Sequence, residues 1–172
     1  MNTGPLWRIP LLSFMATGAV GPLVGAAEAM FDIVSETLRN KVRAYSSNQA
    51  QLQMSTRVRL AQIALRLKTL VAYYENTTIN IEETIYSGGQ LDRLTRVEIR
   101  AGLSQVAAEM HKLVNELAKE AGSRGTYLAS PVQRFQRDVN ALATHALFDM
   151  DQTGDLYGRL LLGMELPEGA MV

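Results

Sequence analysis

The sequence of 172 residues contains no cysteine, only two histidines and no excess of either charge. The lack of cysteine excludes disulfides, thiolate metal sites and cysteine nucleophiles. His111 and His145 are the two imidazoles, and no Glu-x-x-His spacing accompanies them, so a metal site is not expected. Seventeen Lys and Arg residues balance seventeen Asp and Glu residues. The composition therefore argues against nucleic-acid and membrane binding as well.

Proline and strand signals are also scarce. Five prolines, an apolar content of 47% and no sustained strand alternation favour one helical globular domain. Apolar residues at helical spacing predict helices over about residues 11–43, 50–86, 92–122, 131–147 and 152–162. The predicted fold class is all-α, an up-down bundle of four long helices plus a short C-terminal helix. This bundle would span residues 11–163, between an extension at 1–10 and a tail at 164–172.

The apolar run near the N-terminus admits two interpretations. Arg8 followed by Ile9–Ala16 has the outline of a secretory signal, with a basic residue, an apolar run and small residues after it. The run continues past Pro22 with helical period as far as Val42, however, and glycines interrupt it too often for a clear membrane span. We therefore expect a buried first helix that bends near Pro22.

The helix that begins at Ser130-Pro131 carries an unusual polar stripe. Serine is a favoured N-cap, and proline at the first helical position has no amide hydrogen to lose. Four residues of this helix fall within about 60° of one another at 100° per residue. They are a cation, an anion, a small residue and an imidazole: Arg134, Asp138, Ala141 and His145. Such a combination on one face suggests a functional surface.

His145 is the main candidate for proton transfer, because imidazole titrates near neutral pH. Taken without other information, a helix histidine satisfied by a neighbouring carbonyl is the favoured interpretation, and His111 has the same structural interpretation. Asp138 precedes His145 by about 10 Å along a helix axis, so a Ser-His-Asp triad is not supported. Arg134 and Asp138 are spaced to pair along the helix, and Arg137 points elsewhere, toward a partner chain or a phosphate.

The order of these residues resembles a known family. Ser130-Pro131, Gln133-Arg134, Arg137-Asp138, His145 and Tyr157-Gly158-Arg159 resemble the C-terminal domain of flavin-dependent monooxygenases built on the acyl-CoA dehydrogenase fold. These proteins are the oxygenase components of two-component aromatic hydroxylases. Leu6–Pro10 and Gly25–Ala29 are similar to the first helix of that domain. The resemblance covers nearly the whole chain.

The resemblance implies a catalytic role for His145. In such enzymes a separate reductase supplies reduced flavin (FMN or FAD), which reacts with oxygen beside the C-terminal helices. A histidine at this position would face flavin and substrate, whereas the dehydrogenase relatives carry a carboxylate close to the same place. Ala141 would leave space for the planar flavin ring. The implied reaction is hydroxylation of an aromatic or polyketide-like substrate.

Other implied contacts lie in the loop before Pro131 and on the stripe. Residues near flavin, of the same or a neighbouring subunit, would be Ser123, Arg124, Gly125 and Thr126. Residues that organise the bundle and subunit contacts would be Arg134, Arg137 and Asp138. The resemblance also implies a cytoplasmic protein that self-associates as a dimer or tetramer.

The family has an N-terminal helical domain and a middle β domain that these residues do not include. The resemblance therefore predicts an oxygenase domain that is incomplete alone and that works with these domains, separately encoded or otherwise, and with a flavin reductase. Two alternatives remain open. One is a non-catalytic helical module that oligomerises. The other is a fragment of an acyl-CoA dehydrogenase-type oxidoreductase.

Overall fold

The computed structural model describes residues 4–44 and 54–172 and contains only helices in those ranges. The five α-helices are α1 (Leu11–Ala44), α2 (Met54–Tyr86), α3 (Arg93–Ala121), α4 (Pro131–Ala143) and α5 (Met150–Leu161). Short 3₁₀ helices occupy Pro5–Arg8, Ser123–Thr126 and Ala146–Phe148. The all-α fold class is confirmed. The predicted break at residues 45–48 and the start of the second helix at residue 50 lie outside the described residues.

Helix α3 forms the centre of the bundle and contacts all four other helices. Its inner face is fully buried, including Leu103, Met110, Leu113 and Leu117. Burying one such side chain contributes about 1.5–3 kcal/mol relative to leaving it exposed. Every other helix is therefore positioned by the face it presents to α3.

Helix α1 is the most extensive neighbour of α3 and explains the apolar N-terminal run. The stretch Leu11–Asn40 is long and apolar enough to cross a membrane by length and composition, a test that core helices also pass. Val20, Ala27 and Met30 are fully buried in the shared core. The helix continues through Pro22 without interruption. One face of α1 is therefore buried, as predicted, although only 33% of this apolar stretch is buried and Leu11, Phe14 and Met15 remain exposed.

Helix α2 is attached to α3 by fewer buried residues and by ion pairs. Only four α2 side chains among those described are buried: Ile63, Leu67, Ile81 and Ile85. Arg66 bridges Glu109 at 3.2 Å and Glu116 at 2.8 Å, and Arg59 pairs with Glu120 at 2.6 Å. Acidic residues of α3 therefore serve as partners for α2.

Local signals set most helix boundaries as predicted. Asp92 caps α3 by accepting a hydrogen bond from the Thr95 amide at 2.7 Å. Gly122, with a φ of 72°, ends α3, because a left-handed conformation favours glycine. Pro131 is the first residue of α4, although the Ser130 side chain makes no capping hydrogen bond.

The end of α4 differs from the prediction of a helix as far as Leu147. The helix stops at Ala143, and His145 has an extended backbone with φ −67° and ψ 139°. The Thr144 hydroxyl donates to the Ala141 carbonyl at 2.9 Å, so side-chain hydrogen bonding competes with the helix here. Leu147 and Phe148 then turn into the core against α3. Burial of these two side chains favours the break.

Candidate functional site

His145 lies in the tight connection between α4 and α5 rather than on a helix face. Its backbone amide donates to the Leu142 carbonyl at 3.1 Å, and its carbonyl accepts from the Phe148 amide at 2.9 Å. Its imidazole Nδ1 accepts from the Leu147 amide at 3.0 Å and caps the 3₁₀ turn. The ring is exposed. Two backbone hydrogen bonds of His145 and one to its ring thus hold this surface imidazole in place.

The capping bond determines where the proton of the neutral ring resides. Because Nδ1 accepts the Leu147 amide hydrogen, the neutral imidazole carries its proton on Nε2. The outward nitrogen of His145 is therefore a hydrogen-bond donor. This arrangement suits stabilisation of a negatively charged oxygen, whereas proton abstraction through Nε2 would require the other tautomer.

Asp149 fixes the same connection from its other side and was not among the residues predicted from the sequence. Its carboxylate accepts from the Asp151 amide at 2.9 Å and the Gln152 amide at 3.4 Å, so it caps α5. The sequence signal that could have indicated this cap was an aspartate three residues before the predicted helix start at residue 152. His145 and Asp149 together cap two successive helical segments.

The predicted polar stripe is only partly assembled. Arg134, Asp138 and Ala141 are exposed on α4, and His145 lies beyond the end of that helix. Asp138 pairs with Arg137 at 3.2 Å, not with Arg134 as predicted. The Arg134 guanidinium lies 5.2 Å from the centre of the Phe135 ring. These exposed contacts contribute little stability.

Residues 123–126 lie at the opposite end of α4 from His145. Helix α4 has 13 residues and therefore separates the two ends by about 20 Å. Ala141 lies in the last turn of α4, four residues before His145, whereas residues 123–126 lie before the first turn of that helix. One flavin ring in contact with His145 therefore cannot touch this loop in the same chain.

The loop itself combines one buried glycine with exposed side chains. A Cβ on Gly125 would lie 2.9 Å from the Ala121 Cβ and 3.4 Å from Val132 Cγ1. The Thr126 hydroxyl donates to the Ser123 carbonyl at 2.7 Å, and Arg124 is exposed. Gly125 thus serves helix packing, whereas Arg124 is free to reach outward.

Two clefts open between helices outside the His145 turn. One of about 450 Å³ lies between α2, α3 and α5 and includes Tyr73, Glu98, Gly102 and Tyr157. Burial, and then the charge of Glu98, raise the pKa of the Tyr73 phenol. The other, of about 310 Å³, lies between the N-terminal 3₁₀ helix, α1 and α2. His145 lines neither cleft.

The described residues contain no group of three His, Cys, Asp or Glu side chains placed to hold a metal ion. The polar groups of the candidate site are thus hydrogen-bonding side chains and exposed cations.

Comparison with known proteins gives a consistent result. A family model described as "Acyl-CoA dehydrogenase, C-terminal domain" matches residues 17–150. The chain is 27% identical to the oxygenase component of p-hydroxyphenylacetate 3-hydroxylase from Acinetobacter baumannii, with 97% of this chain and 39% of that protein covered. It is 23% identical to a pigment production hydroxylase of a Rhodococcus species, with 98% and 43% covered.

Solved structures establish the same fold. The crystal structure of 3-HSA hydroxylase from Rhodococcus sp. RHA1 matches with a TM-score of 0.89 and 21% identity, covering 99% of this chain and 44% of that one. XiaF from Streptomyces sp., in complex with FADH2 and glycerol, matches with a TM-score of 0.86 and 20% identity, covering 98% and 43%.

The chain thus spans about two fifths of the length of the relatives it matches, from 39% to 44%. The match to the family model nevertheless covers most of the chain, from the second turn of α1 to the start of α5. The resemblance inferred from the sequence is confirmed, and the chain belongs to the acyl-CoA dehydrogenase C-terminal domain family.

Proposed function

We propose that this chain is the C-terminal domain of the oxygenase component of a flavin-dependent monooxygenase. In this proposal the assembled oxygenase uses reduced flavin and O2 to hydroxylate an aromatic or polyketide-like substrate. The observation that carries it is the match, over nearly the whole chain, to curated relatives that are hydroxylases or monooxygenases. One structural neighbour also contains FADH2.

His145 would act at the reacting oxygen. Reduced flavin, when bound, supplies the electrons that activate O2. The Nε2–H of His145 would then donate a hydrogen bond to a developing negative charge on oxygen, because Nδ1 is engaged by the Leu147 amide. The role is thus that of a positioned donor, and the first proton transfer would run from Nε2 outward.

Two separated groups of residues would hold the flavin. Ala141, without a bulky side chain near His145, would leave space beside the ring. Ser123, Arg124, Gly125 and Thr126 would contact a flavin bound mainly by a neighbouring subunit, since about 20 Å of helix separates them from His145. The names of a resorcinol hydroxylase relative and of XiaF mention FADH2, which favours FAD over FMN. Relatives that are oxygenase components imply a separate flavin reductase.

Self-association would occur through the outer face of α2. Large apolar side chains are exposed there at a repeat of seven residues: Val58, Leu65, Ile79 and Tyr86, with Ala72 in the same register. A seven-residue repeat keeps side chains on one slowly winding face of a helix, as in paired helices. Leu65 is 67% exposed. We infer that a second copy of this chain covers this face, in a dimer or tetramer.

The same face supports the second candidate function, a helical module whose only role is oligomerisation. In that case the exposed His145 donor would have no ligand.

The dehydrogenase alternative is less well supported, because the curated relatives are named as hydroxylases or monooxygenases and the position of the predicted base is a histidine. Arg134, Arg137 and Asp138 remain proposed subunit contacts, and a cytoplasmic location remains a prediction.

The test is a domain exchange. This chain would replace the matching segment of the p-hydroxyphenylacetate 3-hydroxylase oxygenase, and reduced FAD or FMN would be added in the presence of O2 and p-hydroxyphenylacetate. Oxygenated product is expected, together with tighter binding of reduced flavin than the relative shows without its C-terminal segment. A folded, oligomeric exchange protein without flavin binding would favour the oligomerisation module instead.

A further inference from the structure

The N-terminal half of α3 carries a row of three arginines. Arg93, Arg96 and Arg100 lie within about 60° of one another around the helix. Arg93 and Arg96 lie in the first turn of α3, near the positive end of the helix dipole, where added cations are not stabilised, and Arg100 lies about one turn further along. Cations in this position are unfavourable unless an anion accompanies them, and Asp92, the N-cap of α3, is the neighbouring anion.

Arg100 is the most unusual member of this arginine row. The residue is 3% exposed, and its Nε has no hydrogen-bond partner. Its Nη1 donates to the main-chain carbonyl of Met171. Burial lowers the pKa of the Arg100 guanidinium, because a buried charge lacks its hydration. A buried cation without an anion is costly, because it has lost its hydration and gained no opposite charge.

The other two arginines also contact backbone oxygens instead of carboxylates. Arg93 Nη2 donates to the Pro167 carbonyl at 3.4 Å, and Arg96 Nε donates to the Asp92 carbonyl at 3.3 Å. The nearby Asp92 carboxylate caps the Thr95 amide, and this hydrogen bond, with a smaller contribution from the charge of Arg96, lowers the pKa of Asp92. Within residues 4–44 and 54–172, no member of the row forms an ion pair, whereas Arg59, Arg66 and Arg159 all do.

The cover of Arg100 is the segment 164–172, which follows α5. It lies along α3, with Pro167 at Arg93 and Met171 at Arg100. Gly163 and Gly169 have φ values of 67° and 75°, so the chain turns at both residues. Met164 and Met171 are about half exposed or more, at 50% and 62%. Carbonyl contacts to arginines, rather than buried apolar side chains, therefore hold this segment.

Helical side chains lean toward the N-terminus of their helix, so the Arg100 guanidinium extends back toward Arg96. A ligand seated there would meet several guanidinium groups at once. Planar guanidinium groups match the oxygen pairs of phosphate better than any single backbone carbonyl does. The Met171 carbonyl thus occupies the place of a stronger acceptor.

We propose that Arg93, Arg96 and Arg100 form a binding site for a phosphate or diphosphate group, closed by residues 164–172. The ligand displaces the Met171 carbonyl from Arg100. The site is independent of the proposed role of His145 and would bind its ligand in the chain alone.

Pyrophosphate is the probe for the test. The full chain would be titrated with pyrophosphate, and with sodium chloride at matched ionic strength, while Tm and amide NMR spectra are recorded. We expect a saturable rise in Tm of about 3 °C or more with pyrophosphate. The Met171 and Val172 amide resonances should shift with the same midpoint. Saturable binding that leaves those amides unchanged would overturn the displacement of residues 164–172.

Substitutions test whether the rise in Tm comes from pyrophosphate bound at the arginine row. Arg100→Met should abolish the saturable rise in Tm, whereas Arg57→Met removes an exposed arginine on α2 and should leave it unchanged. An equal or non-saturating rise in both variants would overturn the proposal, because phosphates also stabilise proteins by exclusion from their surface. If Arg100→Met does not fold, Arg93→Met, at an exposed position, should weaken pyrophosphate binding by about tenfold. Unchanged affinity in that variant would equally overturn it.

Discussion

The imidazole of His145 is fixed by the backbone amide of Leu147, which donates a hydrogen bond to Nδ1 at 3.0 Å. Leu147 is itself buried against the core, so the bond ties an exposed ring to a packed turn. The orientation and the tautomer of the ring follow from this one contact. They make the outward nitrogen, Nε2, a hydrogen-bond donor.

Replacement of His145 by Asn and by Ala should separate capping from chemistry. Asn can accept the Leu147 amide hydrogen. The free energy of unfolding of His145→Asn, measured in urea, should therefore lie within about 0.5 kcal/mol of that of the unsubstituted chain. His145→Ala loses the cap and should be less stable by about 1 kcal/mol. In the exchanged oxygenase, both variants should lose hydroxylation by about 100-fold or more, because neither has the imidazole donor.

Arg39→Ala provides the control for this pair, since that side chain is exposed on α1, a helix without any of the proposed site residues, and pairs with Glu36 at 2.8 Å. Its hydroxylation rate should stay within about twofold, because exposed ion pairs contribute little. Normal turnover in His145→Ala, which has no side-chain donor, would remove His145 from the reaction.

Gly125→Ala should destabilise the chain by about 1–3 kcal/mol. The added Cβ would lie 2.9 Å from the Ala121 Cβ, between α3 and the start of α4. The matched control is Gly25→Ala, an exposed position within α1 where an added Cβ meets nothing within 4 Å. That substitution should stabilise by up to about 1 kcal/mol, because alanine is the better helix former. Chemical denaturation measures both, and similar signs for the two variants would contradict the packing role of Gly125.

Ionisation of Glu109 should make the free energy of unfolding depend on pH below about 4.5. A hydrogen bond from Lys112, at 2.6 Å, and the contact with Arg66 lower the pKa of Glu109 from its usual 4.5. A lowered pKa in the folded state contributes stability that is present above pH 4.5 and is lost as the pH falls through the folded-state pKa. Glu109→Gln should therefore cost up to about 1 kcal/mol at pH 7 and progressively less toward pH 3.

Urea denaturation at a series of pH values tests this dependence. Glu83→Gln, at an exposed position on α2 outside the ion-pair cluster, is the control and should show little difference at any pH. A Glu109→Gln cost that stays constant from pH 7 to pH 3 would show that the carboxylate charge is not the source.

Leu65→Glu should weaken self-association, because it places a charge at the most exposed apolar side chain of the seven-residue repeat on α2. Sedimentation of the unsubstituted chain at micromolar concentration should show a dimer or tetramer, and the variant should dissociate at concentrations about tenfold higher or more. Gln152→Glu adds the same charge at an exposed polar position on α5, a different helix, and should leave the assembly intact. A monodisperse monomer before any substitution would contradict the proposed interface.

The sequence by itself determined the helices and most of their boundaries, because these depend on local chemistry. Asp92 captures a nearby amide, Gly122 permits a left-handed backbone, and Pro131 suits a first helical turn. Helical spacing of apolar residues placed α1 and α3 in the core. The order of residues from Ser130 to Arg159 was sufficient to indicate the family, which the family model confirms.

Only the tertiary structure decided the geometry around His145 and Arg100. The end of α4 depends on burial of Leu147 and Phe148 against a helix some 30 residues away in sequence, so periodicity extended the helix too far. The separation of residues 123–126 from His145 follows from that end point. Arg100 is buried and contacts residues 164–172, which fold back over α3, a contact between segments about 70 residues apart. Local pattern cannot contain such information, because the free energy that fixes these positions comes from burial between distant parts of the chain.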